Sequence, residues 1–149
     1  MNKELFIAIS DRLEAEVPEL RWVDWDSGEL DILLEPGKRP RVAFPCAMID
    51  ITYPRTDDQT DVSQIVTAQI NIRLAFTPKG ATNTKSPVRG DALAVFEVIG
   101  KVHTALQGWR QNYDFNQLSR QSARAEKRRD GLKVYDLVYS TTFEEVTVL

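Results

Sequence analysis

The chain has one histidine, His103, and one cysteine, Cys46. A zinc site draws on several such ligands, and a Ser-His-Asp relay needs its histidine beside a serine and an acid. A lone histidine next to Val102, without a cysteine cluster, supplies neither. His103 therefore reads as a helix-flank residue serving packing or solubility. Cys46 cannot form an internal disulfide and reads as a buried thiol among β-prone apolar neighbours. Asp57, Asp58 and Asp61 crowd a polar turn, yet the calcium-loop pattern and its closing glutamate are absent. Gly80 is followed by no Gly-Lys-Thr, so no phosphate-binding loop forms. No pair of carboxylates is singled out for acid–base work. The residue types point to no enzyme, no metal and no cofactor.

What remains is positive charge. Lys79, Lys85 and Arg89 lie in a segment, Thr77–Gly90, that contains no acid. Arg120, Arg124 and Arg128 fall on alternate positions of a polar stretch near Lys127, Arg129 and Lys133. In a regular strand that spacing puts the three arginines on one side as a positive stripe. Two readings compete: a solubilising edge strand whose cations deter sheet-to-sheet pairing, or a contact surface for an acidic partner or passing DNA. These six residues are the candidate partner or channel surface. Trp22, Trp25 and Trp109 read as core or interface residues, because basic residues are not interleaved with them as a base-stacking platform requires. The overall charge of −3 hides an asymmetry. Residues 1–61 carry fourteen acids and seven bases, whereas residues 62–149 carry eight and twelve. That lopsidedness argues against nucleic-acid binding by the whole domain and leaves room for one basic face.

The elements that must position these residues follow from apolar periodicity. Leu5, Phe6, Ile9, Leu13 and Val17 recur at helical spacing and stop at Pro18. Leu20–Trp25 and Leu30–Leu34 read as short extended segments around the turn Asp26-Ser27-Gly28. Arg41–Tyr53 is β-prone and apolar on both faces: Ala47, Ile49, Ile51 and Tyr53 on one, Val42, Phe44, Cys46 and Met48 on the other. Such a strand needs cover on both sides, from helices or from a neighbouring subunit. Val66, Ala68, Ile70, Ile72, Leu74 and Phe76 alternate with polar residues in a long strand. A second helix runs from Asp91, as N-cap, to Gln107, with a stripe of Leu93, Phe96, Ile99, Val102 and Leu106 and with Gly108 just past its end. Leu118–Lys127 and Leu132–Glu144 form a hairpin joined near Arg129-Asp130-Gly131, its first strand an exposed edge. The expected fold is a single α+β domain over residues 1–149: an antiparallel or mixed sheet with two helices packed on one face, in the order α-β-β-β-β-α-β-β. At 149 residues and 42% hydrophobic content it can bury its own core. No apolar run spans a bilayer and the N-terminus lacks a signal-peptide layout, which places the protein in a cytoplasm. Thr77–Gly90 offers little apolar surface and is expected to be mobile until a neighbour orders it.

The N-terminal helix, the long strand ending Ile70–Phe76, the helix closing on Ala105-Leu106-Gln107-Gly108 and the hairpin ending Leu137-Val138-Tyr139-Ser140-Thr141-Thr142-Phe143 together resemble one family. It is the tail-terminator (tail-completion, minor tail protein U-like) family of long-tailed bacteriophages and prophages. The likeness covers nearly the whole chain and rests on layout. It implies a homo-oligomeric ring, typically a hexamer, seated on the last tail-tube ring. Such a ring stops tube growth and offers a docking surface to the head connector or neck protein, with DNA passing through its centre. It further implies assembly in the bacterial host cytoplasm, a place in the virion tail, no cofactor and no membrane. The alternatives are another neck or head–tail joining protein, and a small α+β enzyme with a site assembled from scattered acids.

Overall fold

The computed structural model describes residues 2–31, 40–77, 83–87 and 89–147. Helix α1, Asn2–Glu16, buries Leu5, Ala8, Ile9 and Leu13. Pro18, whose ring cannot continue the helix, follows its end. Helix α2, Arg89–Leu106, buries Ala92, Val98, Val102, Ala105 and Leu106. Its start precedes Asp91 by two residues, so Asp91 lies inside the helix and is not its N-cap. The buried stripe is also rotated from the expected one. Phe96 is 54% exposed and meets Tyr135 edge-to-face at 5.9 Å. Gly108, at φ +74°, ends α2 in the left-handed conformation that glycine adopts without strain. Arg12 of α1 caps the same end, donating from Nε to the Ala105 carbonyl at 3.0 Å. A cation at a helix C-terminus is favoured by the helix dipole.

The strands are β1 (Trp22–Trp25), β2 (Cys46–Asp58), β3 (Ser63–Phe76), β4 (Ser119–Ala125) and β5 (Lys133–Val146). They form one five-stranded sheet in the order β1-β2-β3-β5-β4. Strand β1 runs parallel to β2, and the other neighbours are antiparallel. The fold is α+β with a mixed sheet. One expected strand differs: Glu29–Asp31, which overlaps the start of Leu30–Leu34, is a 3-10 turn, and residues 32–34 lie outside the described residues. Strand β2 begins at Cys46 instead of Arg41, because Pro45 has no N–H to give to a ladder.

Both helices pack on one face of the sheet. Leu5, Ile9, Leu13, Val102 and Leu106 join Ile49, Ile70, Ile72, Leu137 and Tyr139 in the main core. The opposite face carries a second, smaller cluster: Leu30, Cys46, Met48, Ala75, Leu132 and Val134, with Val42 and Phe44 against it. This cluster answers the two-faced apolar pattern of β2. Its second face is covered by the chain's own turns at Leu30 and Leu132, so a neighbouring subunit is not required there. Cys46 is fully buried, and burial pushes its thiol up to about 11.

Candidate assembly surfaces

Strand β4 is an edge strand with all seven residues exposed, yet its arginines do not form a stripe. Its register against β5 shifts between Arg120 and Ser122: Arg120 lies opposite Tyr139, Ser122 opposite Val138, and Arg124 opposite Asp136. Tyr139 belongs to the core on the helix-covered face, whereas Asp136 lies opposite Arg73 on the other face. One extra residue, Gln121, thus bulges out and reverses the alternation. Arg120 goes to the helix side and Arg124 to the opposite side.

Arg128, past the strand, is not a solvent-facing cation. Its side chain is 12% exposed and pairs with Glu126 at 3.1 Å and with Asp130 at 2.6 Å. Its Nη2 also donates to the Leu30 carbonyl. The six candidate residues therefore separate. Lys85 and Arg89 are exposed near the start of α2, and Lys79 lies outside the described residues. Within Thr77–Gly90, the segment expected to be mobile, residues 78–82 and 88 also lie outside them; residues 83–87 make turns and α2 begins at Arg89.

Arg128 belongs to an ion cluster organised by Arg73, a residue the sequence shows only as one polar position in β3. The Arg73 side chain is 11% exposed. It donates to both oxygens of Asp31, at 2.8 and 2.9 Å, and to both of Glu126, at 2.9 and 3.0 Å. Asp26 and Asp136 each stand 3.6 Å away. Two bidentate carboxylates on one planar guanidinium make a strong, geometrically specific junction. It ties the 26–31 turn to β3 and to the β4–β5 connection. The only sequence signal was a charge set beside Ala75 in an otherwise apolar strand end.

The cluster sorts its acids. Hydrogen bonds from Arg73 hold Asp31 below the ordinary aspartate range. Glu126 is also held low: burial pushes it up, but the contacts with Arg73, Asp136 and Arg128 together outweigh that. Asp136 goes the other way: burial, then the neighbouring Glu126, push it up to about 6. Among the described residues its Oδ1 is buried without a hydrogen-bond partner. On the helix side, His103 Nδ1 lies 2.9 Å from the Tyr139 hydroxyl and the rings stack. Burial and Arg120 keep His103 low, and burial pushes Tyr139 up to about 12. The histidine thus packs on a core tyrosine. Among the described residues, no group of three or more His, Cys, Asp or Glu side chains is placed to hold a metal ion. Nor is any helix among them long and apolar enough to cross a membrane.

The exposed apolar residues lie elsewhere. Trp22 and Trp25 on edge strand β1 are 39% and 46% exposed, and Trp25 contacts Phe6 of α1 at 5.5 Å. Trp109 packs on the core against Phe115. Tyr113, in the connection from α2 to β4, is 86% exposed, and the Arg110 guanidinium sits over its ring at 4.6 Å. That connection is tied down at several points. Leu118 donates to the Trp109 carbonyl at 2.9 Å, and Asn116 to that of Thr142 at 2.9 Å. Thr141 Oγ1 donates to the Asn116 carbonyl at 2.5 Å.

The described residues thus form a small mixed sheet with both helices on one face and with β1 and β4 as its edge strands. The sequence profile of the phage tail terminator protein family matches residues 5–146. The chain belongs to the phage tail terminator family. It is a structural tail protein of the bacteriophage type. Among solved structures, a chain from the virion of a native gene transfer agent particle shares the fold: TM-score 0.54, 16% identity, and 94% of each chain covered. No curated protein sequence matches.

Proposed function

We propose that this tail terminator family member forms a ring, a hexamer, on the end of the tail tube, where it stops tube polymerisation and supports joining to the head. The observation that carries the reading is the family match over nearly the whole chain. The fold likeness to a chain of a virion, over 94% of each chain, supports it. Its partners are further copies of itself, the tube protein and a head connector or neck protein. Assembly takes place in the host cytoplasm, and DNA crosses the ring. The strong charge asymmetry supports a heterologous contact, in which one patch meets a different patch on the next copy and the series closes.

Electron microscopy of particles assembled without this protein tests the reading. Tubes should grow past their normal length and fail to join heads, and supplying the protein should restore both. Tubes of normal length that lack only the head would instead make it a neck protein.

A further inference from the structure

The register of the sheet sets exposed acids at one end and exposed bases at the other, where the acids Asp26, Asp31, Glu126 and Asp130 face Arg73 and Arg128. Strand β3 runs its 14 residues from Ser63, opposite Val146, to Phe76, opposite Lys133. At the Ser63 end lie the β2–β3 turn with exposed Asp57, Asp58 and Asp61, and Glu144 of β5. Of the bases there, Arg55 is paired with Asp57 at 2.9 Å and Arg110 sits over the Tyr113 ring. At the Phe76 end lie exposed Lys127, Arg129 and Lys133 around the β4–β5 turn. Helix α2 starts at this basic end. Its Phe96 meets Tyr135, two positions from the end of the ladder, while its later His103 meets Tyr139 near mid-sheet. Arg89 and Lys85 precede Phe96 and add to the basic end. At about 3.3 Å per residue the two ends stand roughly 45 Å apart. Screening at physiological salt acts over about 8 Å. The two ends therefore do not neutralise each other within one molecule.

The acidic end also holds an anchor. Tyr113 borders a shallow hollow with Ile65, Phe143 and Glu144. It is held over Arg110 on a connection fixed by backbone hydrogen bonds. An exposed, pre-positioned tyrosine inside a charged rim has the make-up of an interface hot spot.

We infer that the acidic end, with Tyr113, docks on the basic end of a second copy of this chain, Asp57, Asp58, Asp61 and Glu144 facing Lys127, Arg129 and Lys133. The occupant follows from charge complementarity within one sequence: each copy carries both halves of the contact at opposite ends. The inference rests on the proposed self-association and names the surfaces that make it.

Charge exchange tests it. One variant carries Asp58→Lys and Asp61→Lys, the other Arg129→Glu and Lys133→Glu, all at exposed turn or strand-end positions. Association is followed by sedimentation over a concentration series, at about 0.05 M and about 0.5 M salt. Wild type should associate and weaken at high salt. Each variant alone should associate about tenfold more weakly or worse, because like charges then face each other. Mixing the two variants should restore association, since every contact is again complementary, and this recovery shows both to be folded. Tyr113→Ser should weaken association without changing its salt dependence. Wild-type association indifferent to salt and to both variants overturns this contact while leaving self-association standing. A wild type that is monomeric at every concentration overturns both.

Discussion

Arg124 and Arg128 leave the same hairpin four residues apart, and sequence alone makes them equivalent. Arg124 sits on an exposed edge strand. Arg128 is 12% exposed and holds two acids and a backbone carbonyl that lies 98 residues away. The difference is one of environment. On the edge, water solvates the guanidinium as well as any partner would, so pairing adds little. In the cluster, Asp31, Glu126, Asp130 and Asp136 are crowded together, and the arginines are what make that crowding tolerable. Residue type sets what a side chain can do, and burial sets what its loss costs.

The largest test of that contrast is Arg73→Ala. It should lower unfolding free energy by about 3 kcal/mol, because it leaves partly buried carboxylates facing one another. Urea unfolding at neutral pH measures it. A loss below ~1 kcal/mol would show that the acids relax into solvent and that the cluster is an ordinary surface.

Arg128→Ser should cost less, about 1–2 kcal/mol, since Arg73 still holds Glu126 and Asp31. The same change also removes the bond to the Leu30 carbonyl. Faster hydrogen exchange around residues 28–31 should accompany the loss. Stability unchanged alongside unchanged exchange would place Arg128 with Arg124.

Asp136→Asn sharpens the comparison through pH. The folded Asp136 titrates at about 6, above its ordinary unfolded value of about 3.9. Between these values the folded state keeps a proton that the unfolded state has lost. The contribution of this group is therefore full below about pH 4 and is lost as pH rises through 6. Asparagine cannot ionise, so the variant should match wild type near pH 4 and exceed it by about 1–2 kcal/mol at pH 7.5. Asp31 and Glu126, held low, give the opposite slope: their stability is present above the ordinary carboxylate range and fades as pH falls. Thermal melts across that range separate the two. A variant weaker than wild type at pH 7.5 would mean that the ionised Asp136 is a net partner of Arg73.

The smallest effect belongs to the edge. Arg120→Ser and Arg124→Ser should each stay within about 0.5 kcal/mol of wild type. A larger loss at either, seen in the same melts, would break the contrast from its other side.

Where the backbone keeps a regular period, the sequence shows the structure. The alternation Val66 to Phe76 marks β3 and its buried face, Leu137 and Tyr139 mark β5, and Gly108 marks the end of α2. The failures share one cause, an event that a local pattern does not contain. Gln121 adds a residue to β4 and flips every later side chain, so spacing alone misplaces Arg120 relative to Arg124. Arg73 looks like a solvent-facing position until Asp31 and Glu126 arrive from distant parts of the chain. The residues that cover the second face of β2, Leu30 and Leu132, are far from it in sequence, so its local pattern does not show them. The candidate surface suffered most. Its residues were chosen for charge, and what separates a docking cation from a clasp is tertiary.

The bond from Arg128 to the Leu30 carbonyl also bears on time. It joins positions 98 residues apart, and contacts of such sequence separation close late and slow a fold. During synthesis the N-terminal segment through β1 emerges early, but its 26–31 turn, which Arg73 can hold to β3, lacks its bond to Arg128 until the β4–β5 turn has been made. Until then Leu30, Cys46 and Met48 lack the Leu132 and Val134 side of their cluster. Ribosome-bound chains should therefore stay soft on that face until the last strand is released.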